Sequence, residues 1–312
     1  MTIKTLRQAW SPSSLTIRGE QRFHAGILLL PTAVIVLGLV GYPLVYSLLL
    51  TVRGEGGLPG QLGPWIGLTN WTQLASDLVF RQSFIQTILY VIPSCVAAVI
   101  LGLIAAVILN QDFPGRRIAR ACLLIPWALP PVVVAAMFEW LLDSRRGLMG
   151  LFITQLGISD HYPQLFGGIP GTLFTLVGIH VWKTFPLLAI MFLVALQYLP
   201  EETVHAARID GASMWRRFRY VMLPHLRPTI IAGLIIELLI TLQLFDLIYA
   251  LTAGGPGAYS TYNLYFYAYK NTFEYTDFGY GAVLAYVVSA LVIGFALLLT
   301  RGRSARSQVG AG

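Results

Sequence analysis

The chain has 312 residues, 56% of them hydrophobic and only 11% charged, and its mean hydropathy of +0.70 lies well above that of a water-soluble domain of this length. A formal charge of +7 on such a composition suits short basic loops beside apolar spans and argues against nucleic-acid binding. The two cysteines, Cys95 and Cys122, fall inside or at the edge of apolar runs, so neither a disulfide framework nor a Cys-based metal site is expected.

In chain order, residues 1–24 read as a polar cytoplasmic tail, 25–300 as one membrane domain and 301–312 as a second cytoplasmic tail. The first apolar run is too long for a signal-peptide core of about 7 to 15 residues and reads as a retained helix. A hydrocarbon core of roughly 30 Å takes about 20 helical residues to cross. Six stretches meet that length: 26–50, 83–109, 121–142, 171–196, 229–251 and 279–299. Their apolar character is continuous rather than alternating, which predicts an all-α membrane protein and not a barrel. Pro31, Pro93, Pro130, Pro131 and Pro186 lie inside the runs and predict local kinks.

Charge orients the spans. One side gathers Lys4, Arg7, Arg18, Arg22, Arg116, Arg117, Arg120, Arg208, Arg216, Arg217, Arg219, Arg227, Arg301, Arg303 and Arg306. The other keeps only Arg53, Arg81, Arg145, Arg146 and Lys270, while Lys183 lies within a span. Both termini are therefore expected in the cytoplasm, which requires an even number of spans. The external loops, 51–82, 143–170 and 252–278, carry Trp65, Trp71, Tyr162, Tyr259, Tyr262, Tyr265, Tyr267 and Tyr269. Most of these suit an interfacial belt, and a minority suit the entrance for a ligand with apolar faces.

The cytoplasmic segment 199–228 predicts two short helices. Pro200 suits a first helical position, Glu201 and Glu202 sit in the first turn, Gly211 offers a left-handed stop and Ser213 can cap the second helix, which Pro224 closes. Trp215, Phe218 and Met222 recur at a helical period on that second helix. The small residues at the turn can admit another protein's backbone; equally, the pair can lie on the membrane with its arginines toward anionic lipid.

The spacing of His205-Ala206-Ala207, Gly211, Val221, Leu223 and Pro224 resembles the EAA loop of permease subunits in binding-protein-dependent ABC importers. Asp210, Ala212 and Trp215 match its carbohydrate branch. His205 replaces the acidic residue of that pattern and Val221 replaces Ile, and the first change removes any role for a carboxylate there. Further likeness lies in 126–131, in Trp140 with Gly147 and Leu148, and in 182–186, 245–249 and 251–256, so the resemblance runs from about Phe23 to Leu299. It implies a type I ABC importer permease fold whose loop is a coupling helix docked on an ATPase. It also implies a second permease subunit, two ATPase subunits that carry ATP and Mg, an external solute-binding protein, a sugar-like solute and a bacterial plasma membrane. No cofactor is expected on this chain, and no Walker sequence is present in it.

Ionisable residues within spans are functional candidates, because lipid makes them expensive. Glu139 suits the interface, Asp246 the external side, and His180 and Lys183 share a turn of the fourth span. Glu237, Ile240, Thr241 and Leu244 recur at i, i+3, i+4 and i+7 on the fifth span and suit the lining of a midplane cavity. The alternative is that Glu237 pairs with Lys183 as structural glue, or with a partner subunit. The resemblance places these four, with Lys183, Thr184 and Leu187, at sugar-contacting stations of the family. A secondary transporter is the competing class; it predicts an inverted repeat and a coupling-ion site, and neither is visible.

Overall fold

The computed structural model of the chain describes residues 27–143, 147–157, 168–255, 257 and 259–307. The tail 1–24, Arg145, Arg146, Tyr162 and Pro256 lie outside the described residues. Helix α1 (Ile27–Val52) contains a π-turn at Leu37–Gly41 and leads into a hairpin of β1 (Arg53–Glu55) and β2 (Leu62–Trp65). This antiparallel pair is an unforeseen addition to an otherwise helical chain. Then follow α2 (Thr69–Ser76), α3 (Leu78–Leu109), α4 (Arg116–Ala128), α5 (Pro131–Leu141), α6 (Leu148–Gln155) and α7 (Ile169–Gln197). After α8 (Glu201–Ile209), helix α9 covers 214–242 as Met214–Arg217, a π-turn at Phe218–Met222 and Leu223–Leu242. The chain ends with α10 (Asp246–Leu251), α11 (Leu264–Tyr269), a π-turn at Lys270–Glu274 and α12 (Phe278–Ser307), which runs past the expected boundary at 300.

Among the described residues five helical stretches are long and apolar enough to cross a membrane, and the count reaches six if α4 and α5 form one span. That pair corrects the expectation of a single helix over 121–142, because its two halves meet at 92°. Consecutive prolines are the cause. Neither Pro130 nor Pro131 has an N–H to donate, and each biases the residue before it toward extended backbone. Leu129 and Pro130 accordingly have ψ of 136° and 139°. A second correction concerns Pro224, which does not close a helix. Helix α9 passes through it because the π-turn just before carries the ladder on, with the Leu223 N–H donating to the Phe218 carbonyl.

The core is the seam of α3 against α7, the most extensive helix contact in the chain, with α9 along its side. Small residues make it close: Ser94, Ala98, Gly102 and Ala106 recur every fourth residue on the buried face of α3. A Cβ on Gly102 would stand 3.0 Å from Leu188 Cβ and 3.3 Å from the Ala189 backbone nitrogen. Gly233 on α9 lets Phe192 and Leu188 approach from the other side, where an added Cβ would meet them at 3.1 to 3.3 Å. These contacts make α3 and α7 parallel and α9 antiparallel to them. The Arg120 guanidinium donates to the Leu109 carbonyl at the end of α3, and His225 Nε2 lies 3.0 Å from the Ala195 carbonyl near the end of α7. Arg116, Arg117, Arg120, Arg208, Arg216, Arg217, Arg219 and Arg227 thus gather at one end of the bundle.

At the other end Asp77 ties three helices together. One carboxylate oxygen caps α3 by accepting from the N–H groups of Val79 and Phe80, and the other accepts from the Tyr267 and Tyr280 hydroxyls. Tyr262 and Tyr267 are buried, and Phe245, Tyr249, Phe266 and Tyr269 form one ring cluster between α10 and α11. Trp65 and Tyr265 remain exposed. Two members of the expected aromatic belt, Tyr262 and Tyr267, are therefore protein core.

Candidate functional site

Two arrangements answer to the residues singled out in the sequence: a buried polar cluster in the seam, and the helix-turn-helix at the basic end. The cluster is built by i, i+4 pairs on two facing helices, His180 and Thr184 on α7 and Glu237 and Thr241 on α9. All four are buried, Glu237 and Thr241 completely. Glu237 Oε1 accepts from the Thr184 hydroxyl at 2.9 Å and lies 3.1 Å from His180 Nε2. The Thr241 hydroxyl donates to the Glu237 carbonyl at 2.6 Å, leaving its oxygen to face His180 Nε2 at 3.0 Å. Both oxygens before His180 accept, so the imidazole proton belongs on Nε2. The Tyr90 ring of α3 meets the imidazole edge-on at 5.6 Å.

The alternative pairing of Glu237 with Lys183 is not formed; His180 and Thr184 take Glu237. Lys183 is one residue from Thr184, hence about 100° around the helix, and points to a different neighbour. Its Nζ donates to the Leu129 carbonyl at 2.8 Å and to the Trp127 carbonyl at 3.2 Å. Leu187, one turn further along α7, is half-buried, and Ile240 is 38% exposed, so it does not share the buried side of Glu237 and Thr241. Leu244 is buried but lies beyond the last turn of α9, in the break before α10. The seven expected pathway residues thus divide into a buried polar group, Thr184, Glu237 and Thr241, and a flank of Lys183, Leu187 and Ile240, with Leu244 at the break. His180 belongs with the first group. Its i, i+4 relation to Thr184, mirrored by Glu237 and Thr241, was the available signal for it.

At the basic end, α8 begins at Glu201, with Pro200 one position earlier than expected, as the N-cap. Gly211 has φ of +73°, a conformation that favours glycine, and two hydrogen bonds close the turn: Gly211 N–H to the Arg208 carbonyl and Ala212 N–H to the Ala207 carbonyl, both 3.0 Å. Ser213 caps the next helix through the Arg216 N–H. His205, Ala206, Asp210, Gly211 and Pro224 are exposed, while Ala207, Ala212 and Leu223 are half-buried. Trp215 is 65% exposed and its ring lies 5.7 Å from that of Phe218. Among the described residues, its own chain neighbours aside, nothing lies within 4 Å of where a Gly211 Cβ would stand. The turn is an open surface of small residues, with Arg208 and Arg216 near it in the chain.

Among the described residues no group of three or more His, Cys, Asp or Glu side chains is placed to hold a metal ion.

Comparison with known proteins agrees with this architecture. Residues 98–307 match the family described as the binding-protein-dependent transport system inner membrane component. The chain is 34% identical to the trehalose/maltose transport system permease protein MalF of Thermococcus litoralis, over 87% of this chain and 90% of that one. It is likewise 34% identical to the sulfoquinovosyl glycerol transport system permease protein SmoG of Agrobacterium fabrum, over 86% and 87% of the two chains. Among solved structures, its fold superposes on a chain of a bacterial ABC transporter involved in the import of the acidic polysaccharide alginate, with a TM-score of 0.82 at 18% identity, covering 94% of this chain and 99% of that one.

Proposed function

The chain belongs to the family of binding-protein-dependent transport system inner membrane components, and from that premise we propose that it is a permease subunit of an ATP-driven importer for a sugar or sugar-like solute. The relatives named for trehalose, maltose and sulfoquinovosyl glycerol support the solute class. The permease itself does no chemistry. ATP and Mg belong to two ATPase subunits, an external binding protein delivers the solute, and a second permease subunit completes the pathway.

The observation that carries the coupling assignment is the open turn around Gly211. It stands at the end of the bundle where the arginines gather, and its Ala206, Ala207, Gly211 and Ala212 leave room for a partner's backbone. In this reading α8 is the coupling helix; His205 on it, Asp210 at its end and Trp215 at the start of α9 form the contact surface, and Leu223 and Pro224 join that surface to the spanning part of α9. The solute passes beside Lys183, Leu187 and Ile240, with Thr184, Glu237 and Thr241 as the polar layer behind them and Leu244 at the external end. Both termini lie in the cytoplasm of a bacterial cell.

Co-purification of the tagged chain from mild detergent, followed by ATPase assay with candidate sugars and the binding protein, tests this. Recovery of an ATPase and a second permease is expected, and Gly211→Asp is expected to lose or uncouple the ATPase, because it places a side chain and a negative charge on the open turn. A chain that purifies alone and carries solute across proteoliposomes without ATP is a secondary transporter instead.

A further inference from the structure

The break between α4 and α5 leaves backbone groups that lipid cannot satisfy. The Trp127 carbonyl would normally accept from residue 131, which is Pro131 and has no N–H. The Leu129 carbonyl is carried away from the Val133 N–H by the 92° bend. The Trp127 oxygen stands in the last turn of α4, where carbonyls lack internal donors and the helix dipole is negative, and the Leu129 oxygen follows just beyond it in the extended link to α5. The Lys183 ammonium meets these two, at 3.2 Å from Trp127 and 2.8 Å from Leu129. Among the described residues no carboxylate lies within salt-bridge distance of Lys183, and Asp246 acts on its charge only from further off.

We propose that Lys183 is a positioning residue, a clamp that fixes the bent α4–α5 pair to α7 by donating to the carbonyls the double proline leaves open. Its part in transport rests on the permease reading; its hold on the bend does not. The ammonium supplies what neither proline can, hydrogen-bond donors aimed at the break, and its charge is compensated by carbonyl dipoles and the helix terminus. A solute passing this level then meets a surface whose shape depends on Lys183, even where it never touches the ammonium. The choice of lysine follows from the geometry. A flexible stem carries a compact group with three donors to two oxygens on neighbouring residues, a demand that no apolar side chain meets.

The test measures the bend directly. Paired spin labels at Ile118→Cys on α4 and Trp140→Cys on α5, with Cys95 and Cys122 replaced by Ala, are read in the full chain in lipid nanodiscs. A right-angled pair places these positions roughly 23 Å apart and a straight helix roughly 33 Å. Lys183→Met is expected to lengthen and broaden the distribution, and Lys183→Arg to preserve it; an unchanged distribution in Lys183→Met overturns the clamp. Solid-state NMR on the unsubstituted lysine, looking for contact between Lys183 Nζ and the Leu129 carbonyl carbon, decides the matter if Lys183→Met does not fold, and absence of that contact also overturns it. In the assembled transporter, Lys183→Met is expected to lower turnover with little change in apparent KM for the loaded binding protein. A KM change with the bend intact marks a solute-contacting residue instead and overturns the proposal. Neither the label distances nor the NMR contact needs transport, so failure of the clamp is distinguishable from failure of the importer reading.

Discussion

Helices α3 and α7 each carry a proline in their interior, Pro93 and Pro186, yet each remains one uninterrupted helix; α4 and α5, with Pro130 and Pro131 between them, meet at a right angle. A lone proline costs one ladder hydrogen bond and a local clash, and close packing of the helix's buried face absorbs it. Around Pro93 that packing is the run of Tyr90, Ser94, Ala98 and Gly102 against α7. Two consecutive prolines remove successive donors and push two residues into extended backbone. Recovery then comes from outside the helix, from Lys183. Proline content alone does not predict where a membrane helix breaks; adjacency and neighbours do.

The largest expected effect comes from disrupting the polar centre of the seam. Glu237→Ala removes the acceptor that joins His180 Nε2 and the Thr184 hydroxyl across the seam, leaving them only Thr241 Oγ and the His180 carbonyl, and two lost buried hydrogen bonds to an acidic group cost about 3 kcal/mol. The variant should therefore lose its monodisperse detergent peak, and retention of full thermal stability would show that the cluster does not hold the seam. Next in size is Gly102→Val. Its Cβ falls against the Ala189 backbone, which cannot move aside as a side-chain tip can, and overpacking of this kind costs about 1 to 3 kcal/mol. Crosslinking between cysteines placed at Ala106 and Leu193 should fall as α3 is pushed from α7, and an unchanged crosslink would locate the close contact elsewhere.

The smallest effect is a pH dependence at the outer end of the seam. Burial alone raises the Asp77 carboxyl, but hydrogen bonds from Tyr280, Tyr267 and the Phe80 and Val79 N–H groups outweigh it and hold the group below its ordinary value. The same contact, after burial, pushes the Tyr267 hydroxyl up. A carboxyl whose folded value is depressed stabilises above the unfolded value, and that share is lost as pH falls through the folded one. Asp77→Asn keeps the cap but not the charge, so its thermal stability should fall less steeply than the parent's on acidification through the carboxylate range. Parallel acid limbs would assign the loss to other groups.

Spans at 83–109, 171–196 and 279–299 were legible because a continuous apolar run of that length has one economical solution in lipid. The turn at Gly211 and the cap at Ser213 were legible for a different reason, being local backbone chemistry. What the sequence did not disclose depends on neighbours. Pro130 and Pro131 marked a kink, but its size is set by what receives the freed carbonyls. Pro224 marked a stop, but the π-turn over 218–222 carried the helix past it. Glu237 was recognised as a buried carboxylate, yet its partner was decided by the rotation of α7 about its axis, which brings His180 and Thr184 to it and sends Lys183 to α4.

That passage through Pro224 makes α9 a lever. From Met214 to Glu237 the helix is unbroken, a rise of roughly 35 Å at about 1.5 Å per residue. A tilt of about 5° at the basic end displaces the far end by roughly 3 Å, comparable to one hydrogen-bond length. The stroke arrives where His180 and Thr184 hold Glu237, with no loop along the way to absorb it.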